Sequence, residues 1–351
     1  MNDKLVLDVD TQNSNLVEFA KSIILNRFTT MYSHIDGVIE NVEIEPIHQF
    51  RVASRRFRAV LKVFSTLFPH RNTENIISEI EAIVALAGKA RDLDVQVLFL
   101  EKYILTIPPQ ERKGVALFLL KRRVLREQLQ ADIIDQFQSF KYSSVFDDFH
   151  ILINSDNVGP DFSYSRITGD KTPSDLKLPV QAVRVVHKAV SDCVRKLQII
   201  SERFSETVDY KMIHKMRIAL KNLRYTIEIP AEFLRDKYSQ HLINIKYLQD
   251  CLGEIHDEDV QIRILRKRIR LEFKTSDQFQ LIERAIKDDS IRVDMIASFY
   301  TKAIHHDCCG LIHLLRDLID IRYKNYKLFT QYWKKMLEDN FFHSIRTILV
   351  N

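Results

Sequence analysis

Apolar residues recur along most of this chain every three or four positions, the period of helices buried along one side. From Asn15 to Ile39 the stripe runs through Leu16, Phe19, Ile23, Ile24, Phe28 and Met31, which predicts one amphipathic helix. After Pro46 a second stripe, Phe50, Ala53, Phe57, Val60, Leu61 and Phe64, should end near Pro69, with Asn72 or Thr73 capping the next helix. Beyond Pro108 and Pro109 a further helix is predicted, with Leu117, Leu120, Val124 and Leu129 as its apolar side. Residues 154–180 break the period with Gly159, Pro160, Gly169, Pro173 and Pro179 and read as a connection. The helical pattern then returns through Met216, Ala219, Leu220, Leu223 and Ile227. It ends on Tyr323, Tyr326, Phe329, Tyr332 and Trp333, aromatics expected in core and interface packing.

The polar sides of two of these helices repeat each other. HQFRVASRRFRAVLK from His48 and HKMRIALKNLRYTIE from His214 pair His48 with His214, Arg51 with Arg217, Arg55 with Lys221 and Arg58 with Arg224. These positions fall within a sector of roughly 80° on a helix, and Lys62 extends the row in the first copy. No Asp or Glu occurs from Pro46 to Thr73 or from Tyr210 to Ile227. A solvated helix would interleave such cations with acids at i,i+4. The charge is therefore expected to be answered from outside the helix.

A second motif follows each row at nearly the same distance. GKARDLDVQ from Gly88 matches GEIHDEDVQ from Gly253, so that Asp92 aligns with Asp257 and Asp94 with Asp259. Two motifs repeating in one order argue for an internal duplication. The glycine is read as a site of close helix packing. Asp92 and Asp257 read either as partners that pair with the basic rows and hold them extended, which would lower the entropy cost of capturing an anion, or as helix caps or solvated charges. A further basic row in the first half, Lys121, Arg122, Arg123 and Arg126, reads either as a second wall of the site or as a solvated face; Arg263, Arg266, Lys267 and Arg270 follow His256 at helical spacing, but their copy in the first half is not basic, so that row carries less weight.

Composition fits an all-α protein. Among 351 residues there are only 7 Gly and 8 Pro, too few for many strands and turns. The formal net charge is only +5, so the cationic character is local and points to one anion site. Four cysteines without CxxC spacing fit a reducing, cytoplasmic compartment. The first residues lack the apolar core of a secretion signal, and no apolar run is long enough for a membrane span. The expected organisation is a flexible arm at 1–14, a first helical half at 15–153, the connection at 154–180 and a second half at 181–351.

At the two histidine-containing helices the chain resembles the CHAD family of conserved-histidine α-helical domains, standing alone without a CYTH domain. The resemblance rests on His48, Arg51, Arg55, Arg56 and Arg58, on GKARDLDV from Gly88, on KRRVLREQL from Lys121, and in the second half on HKMRIALKNLRY from His214 and LQDCLGEIHDEDV from Leu248. It implies two similar helical bundles facing one another across a basic groove or pore, binding of inorganic polyphosphate, and association with polyphosphate granules and polyphosphate-metabolising enzymes. Carried onto this chain, the binding residues would be His48, Arg51, Arg55, Arg56, Arg58, Lys62, Lys89, Arg91, Lys121, Arg122, Arg126, His214, Arg217, Lys221, Arg224 and His256. The second copy departs from the first with Asn222 in place of Arg56 and Glu228 in place of Lys62, so the two walls differ in charge.

Linear polyphosphate offers dense charge and no bases, so charge and spacing must recognise it, through the planar fork of Arg and the compact ammonium of Lys. Three rivals stand beside this reading. His256-Asp257 is an HD dipeptide of the kind that binds metal in helical phosphohydrolases, but the matching pair is Arg91-Asp92, and a cation does not replace a ligand. A second possible metal cluster, His305-His306 near Cys308-Cys309, has adjacent side chains that diverge by about 100°. A nucleic-acid binder would need stacking aromatics, and Tyr225 alone lies near the cationic side. A scaffold that meets acidic partner proteins is the third. No Gly-rich phosphate loop or recurring nucleophile is present, so a binding module with no cofactor, no metal and no catalytic residue is expected, in contact with neither membrane nor nucleic acid.

Overall fold

The computed structural model of the chain describes residues 2–40, 44–153, 179–204, 210–272 and 309–348. Among these residues every element is helical. The first half contains α1 (Asn2–Tyr32), α2 (Ile35–Glu40), α3 (Glu45–Val63), α4 (His70–Tyr103), α5 (Arg112–Lys141) and α6 (Val145–Ile153). The second contains α7 (Val180–Glu202), α8 (Tyr210–Ala231), α9 (Arg235–Glu272), α10 (Cys309–Glu338) and α11 (Phe341–Thr347). Apart from Pro179 and Val180, the connection expected at 154–180 lies outside the described residues, as do His305, His306 and Cys308.

Each basic helix is sandwiched. In the first half α3 packs on α1 and α4, and α4 packs on α5; in the second α8 packs on α7 and α9, and α9 packs on α10. The halves meet through α3 against α8, α1 against α7 and α5 against α10. The apolar stripe read from the sequence supplies the contacts: Phe50, Phe57, Val60, Leu61 and Phe64 on one basic helix, Met216, Leu220, Leu223 and Ile227 on the other, all buried. Phe28 stacks on Phe149 with ring centroids 3.7 Å apart, and Phe57 lies edge-on to both. Removing one such buried ring costs about 3–5 kcal/mol.

Apolar packing forms two clusters. The larger contains Ala87 and Ala90 of α4 and Ile255 of α9; the smaller contains Leu100 of α4 and Ile262 of α9, together with Val115 and Phe118 of α5 and Leu311 and Leu315 of α10. Between them both long helices carry the polar stretch of the second repeated motif, so it falls where hydrophobic packing gives way. The smaller cluster is closed by contacts around the start of α5. A Cβ at Gly310 would fall on the Glu111 carbonyl oxygen, His313 lies 2.5 Å from Glu111, and Tyr103 donates to Asp317 at 2.7 Å.

Three local expectations change. The helix predicted from Asn15 to Ile39 is interrupted at residues 33–34, where the Ser33 hydroxyl donates to the Thr30 carbonyl at 2.9 Å and competes with the helical ladder. Neither Asn72 nor Thr73 caps α4; the helix begins at His70 behind Pro69, and the Thr73 hydroxyl donates back to the His70 carbonyl at 2.8 Å. On α5, Leu117, Leu120 and Val124 are exposed, while Val115, Phe118, Leu119, Ile133, Phe137 and Phe140 are buried. That helix carries apolar residues on both sides, and the aromatic side wins because it buries more area. Among the closing aromatics, Tyr326, Phe329 and Trp333 are core as expected, whereas Tyr323 is exposed.

Candidate anion-binding site

Because α3 and α8 pack directly against each other, the two cationic rows are brought into one electrostatic neighbourhood, with α4 and α9 as flanks. Burial lowers the pKa of Lys221 to about 7, and the charges of Arg55, Arg217, Arg51 and Arg58 push in the same direction. Arg51 falls to about 10 for the same reason, with Arg55, Arg217 and Arg91 adding to burial against the pull of Asp92. Arg217 is lowered by burial and by Arg55, with Asp257 and Asp92 opposing. Residues from four helices and both halves thus feel one another. Among the described residues no carboxylate forms an ion pair with Arg55, Arg91, Arg217 or Lys221.

The histidines border this cluster at two places. His48 is depressed by burial and then by Arg91, Arg55 and Arg51. His256 falls to about 4 through burial, Arg217, His214, Arg263 and Lys221, and its ring lies 5.4 Å from that of His214. Asp92 and Asp257 are exposed to solvent, yet protein around them desolvates both carboxylates and raises their pKa against the neighbouring arginines. Among the described residues neither aspartate touches a basic side chain in an ion pair; they act on the rows through space.

One arginine is held by the backbone. Arg51 Nη1 donates to the Val84 carbonyl at 3.3 Å, and a Cβ at Gly88 would fall on that same nitrogen. Gly88 is therefore a seat for the Arg51 guanidinium and not the site of helix–helix contact read from the sequence. Its counterpart Gly253 has nothing within 4 Å of an added Cβ.

The remaining basic residues of the sequence reading are placed around this cluster with different neighbours. Arg58 is paired with Glu81 at 2.7 Å on the flank of the row. Arg56 and Arg224 share Glu228, at 2.8 and 3.0 Å, and Arg224 also donates to Gln249 at 3.3 Å. Arg126 is locked to buried Asp94 at 2.7 Å and to Gln130 at 2.6 Å, and the Arg122 guanidinium lies over the Phe118 ring at 4.7 Å. Lys89 and Lys121 are exposed. Lys62 lines a recess between α3, α7 and α8, beside Lys196 and Cys193. The carboxylates that engage Arg56, Arg58 and Arg224 escaped sequence reasoning, because Glu81 lies on α4 and Glu228 just past the acid-free stretch. Arg263, given less weight in the sequence, joins the site through His256.

The cluster has the chemistry to neutralise a polyanion with several oxygens at once. Among the described residues no carboxylate is ion-paired with its central cations, and each added negative charge would relieve mutual repulsion among them. Among the described residues no three His, Cys, Asp or Glu side chains converge as a metal-ligand set, and no helix is long and apolar enough to cross a membrane.

Comparison with known proteins adds the following. A family model described as CHAD domain matches residues 22–266. The fold is similar to the crystal structure of the CHAD domain from the plant Ricinus communis, with a TM-score of 0.53 and 19% identity over 84% of this chain and 91% of that one. It is also similar to PptA from Streptomyces chartreusis, with a TM-score of 0.56 and 12% identity over 91% of this chain and 99% of that one. A comparison with curated proteins finds no match.

Proposed function

The chain belongs to the CHAD domain family, and we propose that it binds inorganic polyphosphate at the cationic cluster where α3 packs against α8. The observation that carries this is the crowding of Arg51, Arg55, Arg217 and Lys221 without an ion-paired carboxylate among the described residues, where burial first and the neighbouring charges second hold Lys221 at about 7. Such a cluster raises the energy of the empty protein and is relieved by an anion. The likeness of the two rows, and of the motifs behind them, supports a duplicated unit whose two copies supply the two walls.

A linear chain of phosphates fits better than other anions. It carries charge along its whole length, so it can meet Arg51 and Arg55 of one wall and Arg217 and Lys221 of the other together. A nucleic acid would bring bases that need stacking surfaces. Tyr225, the aromatic nearest the row, is 6% exposed and occupied by the Arg224 guanidinium at 5.9 Å. The proposed role is binding, with Asp92 and Asp257 tuning the rows; targeting to or organising polyphosphate granules in the cytoplasm is the cellular role proposed with it.

Calorimetric titration with long-chain polyphosphate at two salt concentrations tests the reading. Wild-type protein should bind with an affinity that falls steeply with salt, because counterions are released from the polyanion. A variant with Arg51, Arg55, Arg217 and Lys221 replaced by Ala should lose binding while keeping its helicity. Unchanged affinity in that variant would refute the site.

A further inference from the structure

Away from the cationic cluster, α3, α7 and α8 enclose a recess of about 760 Å³. Its floor is apolar, with Val63 from α3, Val185 and Ile200 from α7 and Ala219 from α8. Ile199 and Ile218 line it while 46% and 40% exposed, an unusual amount of aliphatic surface to leave in water at one place. Four exposed lysines, Lys62, Lys188, Lys196 and Lys215, stand around it, and among the described residues none of them forms an ion pair. The single acid on its wall, Asp192, is occupied by Arg195 at 2.7 Å.

An apolar floor inside a cationic rim selects an amphipathic segment whose apolar side is flanked by acids. A bare polyanion would satisfy the lysines and leave the isoleucines wet. Lys188 and Lys196 lie eight residues apart on one helix, about 12 Å, so complementary acids should be spaced by about two turns.

The chain itself carries such a segment. Its first residues read MNDKLVLDVDTQNS. On a helical projection Leu5, Val6 and Val9 occupy an arc of about 100°, with Asp8 beside one edge and Asp3 and Asp10 beside the other, while Lys4 and Leu7 fall on the far side. Asp3 and Asp10 are seven residues apart, about 10 Å along a helix, close to the lysine spacing on α7. Helix α1 is unbroken from Asn2 to Tyr32, so residues 2–14 cannot turn back onto α7 of their own copy without breaking it.

We infer that the acidic amphipathic segment spanning Asp3 to Asp10 docks in the lysine-rimmed groove of a second copy of this chain. Reciprocal docking of two arms in two grooves closes a twofold dimer. Asp3 and Asp10 meet Lys188 and Lys196, Asp8 meets the lysines of the opposite rim, and Leu5, Val6 and Val9 cover Ile199 and Ile218. The interaction is independent of polyphosphate.

Sedimentation velocity on the 351-residue, 41.4 kDa chain, across a hundredfold concentration range and without polyphosphate, tests it. The wild type should shift from monomer to dimer as concentration rises. Two charge reversals, Asp3→Lys with Asp8→Lys and Asp10→Lys, and separately Lys188→Glu with Lys196→Glu, should each weaken the dimer at least tenfold with unchanged circular dichroism. Mixing the two variants should restore dimers, because the unreversed arm of one meets the unreversed groove of the other and the reversed arm meets the reversed groove. A wild type that stays monomeric overturns the inference, as does a dimer indifferent to both reversals. If the lysine reversal alone breaks the dimer, another acidic segment fills the groove and the assignment to residues 3–10 fails.

Discussion

The seat that Gly88 provides for Arg51 separates binding from stability within one substitution. In Gly88→Ala the new methyl takes the place now filled by Arg51 Nη1, and the guanidinium must leave the Val84 carbonyl, 3.3 Å away. The displaced group is the end of a flexible side chain, so the helices themselves need not move. Alanine inside a helix is favoured over glycine by about 1 kcal/mol, so the fold should hold its stability or gain slightly. A charged hydrogen-bonding contact to the ligand contributes about 1.5–3 kcal/mol, and its loss should weaken polyphosphate roughly tenfold to a hundredfold. Gly253→Ala is the control: with nothing within 4 Å of its Cβ it should show the same helix gain and unchanged affinity. Calorimetric titration gives the affinities and urea denaturation the stabilities. Gly88→Ala protein that binds like wild type would refute the seat, and a stability loss above about 2 kcal/mol would show that the glycine serves helix packing instead.

Three further predictions rest on other parts of the structure. Lys221, at about 7 in the empty site, must take up a proton when a polyanion restores its charge above that pH; affinity should fall by up to about tenfold per pH unit as pH rises above 7 and lose this part of its dependence in Lys221→Arg, as titration at a series of pH values will show. Burial raises Glu258 to about 8, above its unfolded value, so the stability of its protonated form is complete below the ordinary carboxylate range and lost as pH rises through 8; Glu258→Gln, which can keep an acceptor for Asn325, should match wild type at pH 4 and exceed it at pH 8 in urea denaturation. Arg126→Ala leaves buried Asp94 without its 2.7 Å partner and should cost about 3–5 kcal/mol, with most of the loss recovered in an Arg126→Leu, Asp94→Leu double variant; a fold indifferent to Arg126→Ala in the same assay would free that arginine for ligand.

The apolar stripes of α3 and α8 were legible because each has one clear side, and both are buried as read. The stripe on α5 was misread for the opposite reason: Leu117 and Leu120 compete with Phe118 and Leu119 on the same helix, and periodicity cannot say which side meets a neighbour. The cationic rows were visible as acid-free stretches, but their partners were not. Glu81 reaches Arg58 across 23 residues of sequence and Glu228 reaches Arg56 across 172, separations that only the packing of α3, α4 and α8 closes. The same packing divides the expected binding residues into a crowded centre around Arg51, Arg55, Arg217 and Lys221 and an outer set, Arg56, Arg58, Arg126 and Arg224, already tied to acids. Gly88 was legible as a repeated residue, and its role depends on the direction of one side chain from another helix.

Lysine reactivity read by mass spectrometry tests the central claim most directly. A neutral amine acylates where an ammonium does not, so Lys221, poised at about 7, should be among the fastest lysines to acetylate in the empty protein at pH 7.5. Saturating long-chain polyphosphate should suppress its modification by tenfold or more while leaving Lys188 and Lys196 of the outer groove unchanged. Lys221 that reacts equally with and without polyphosphate would contradict an anion site between α3 and α8.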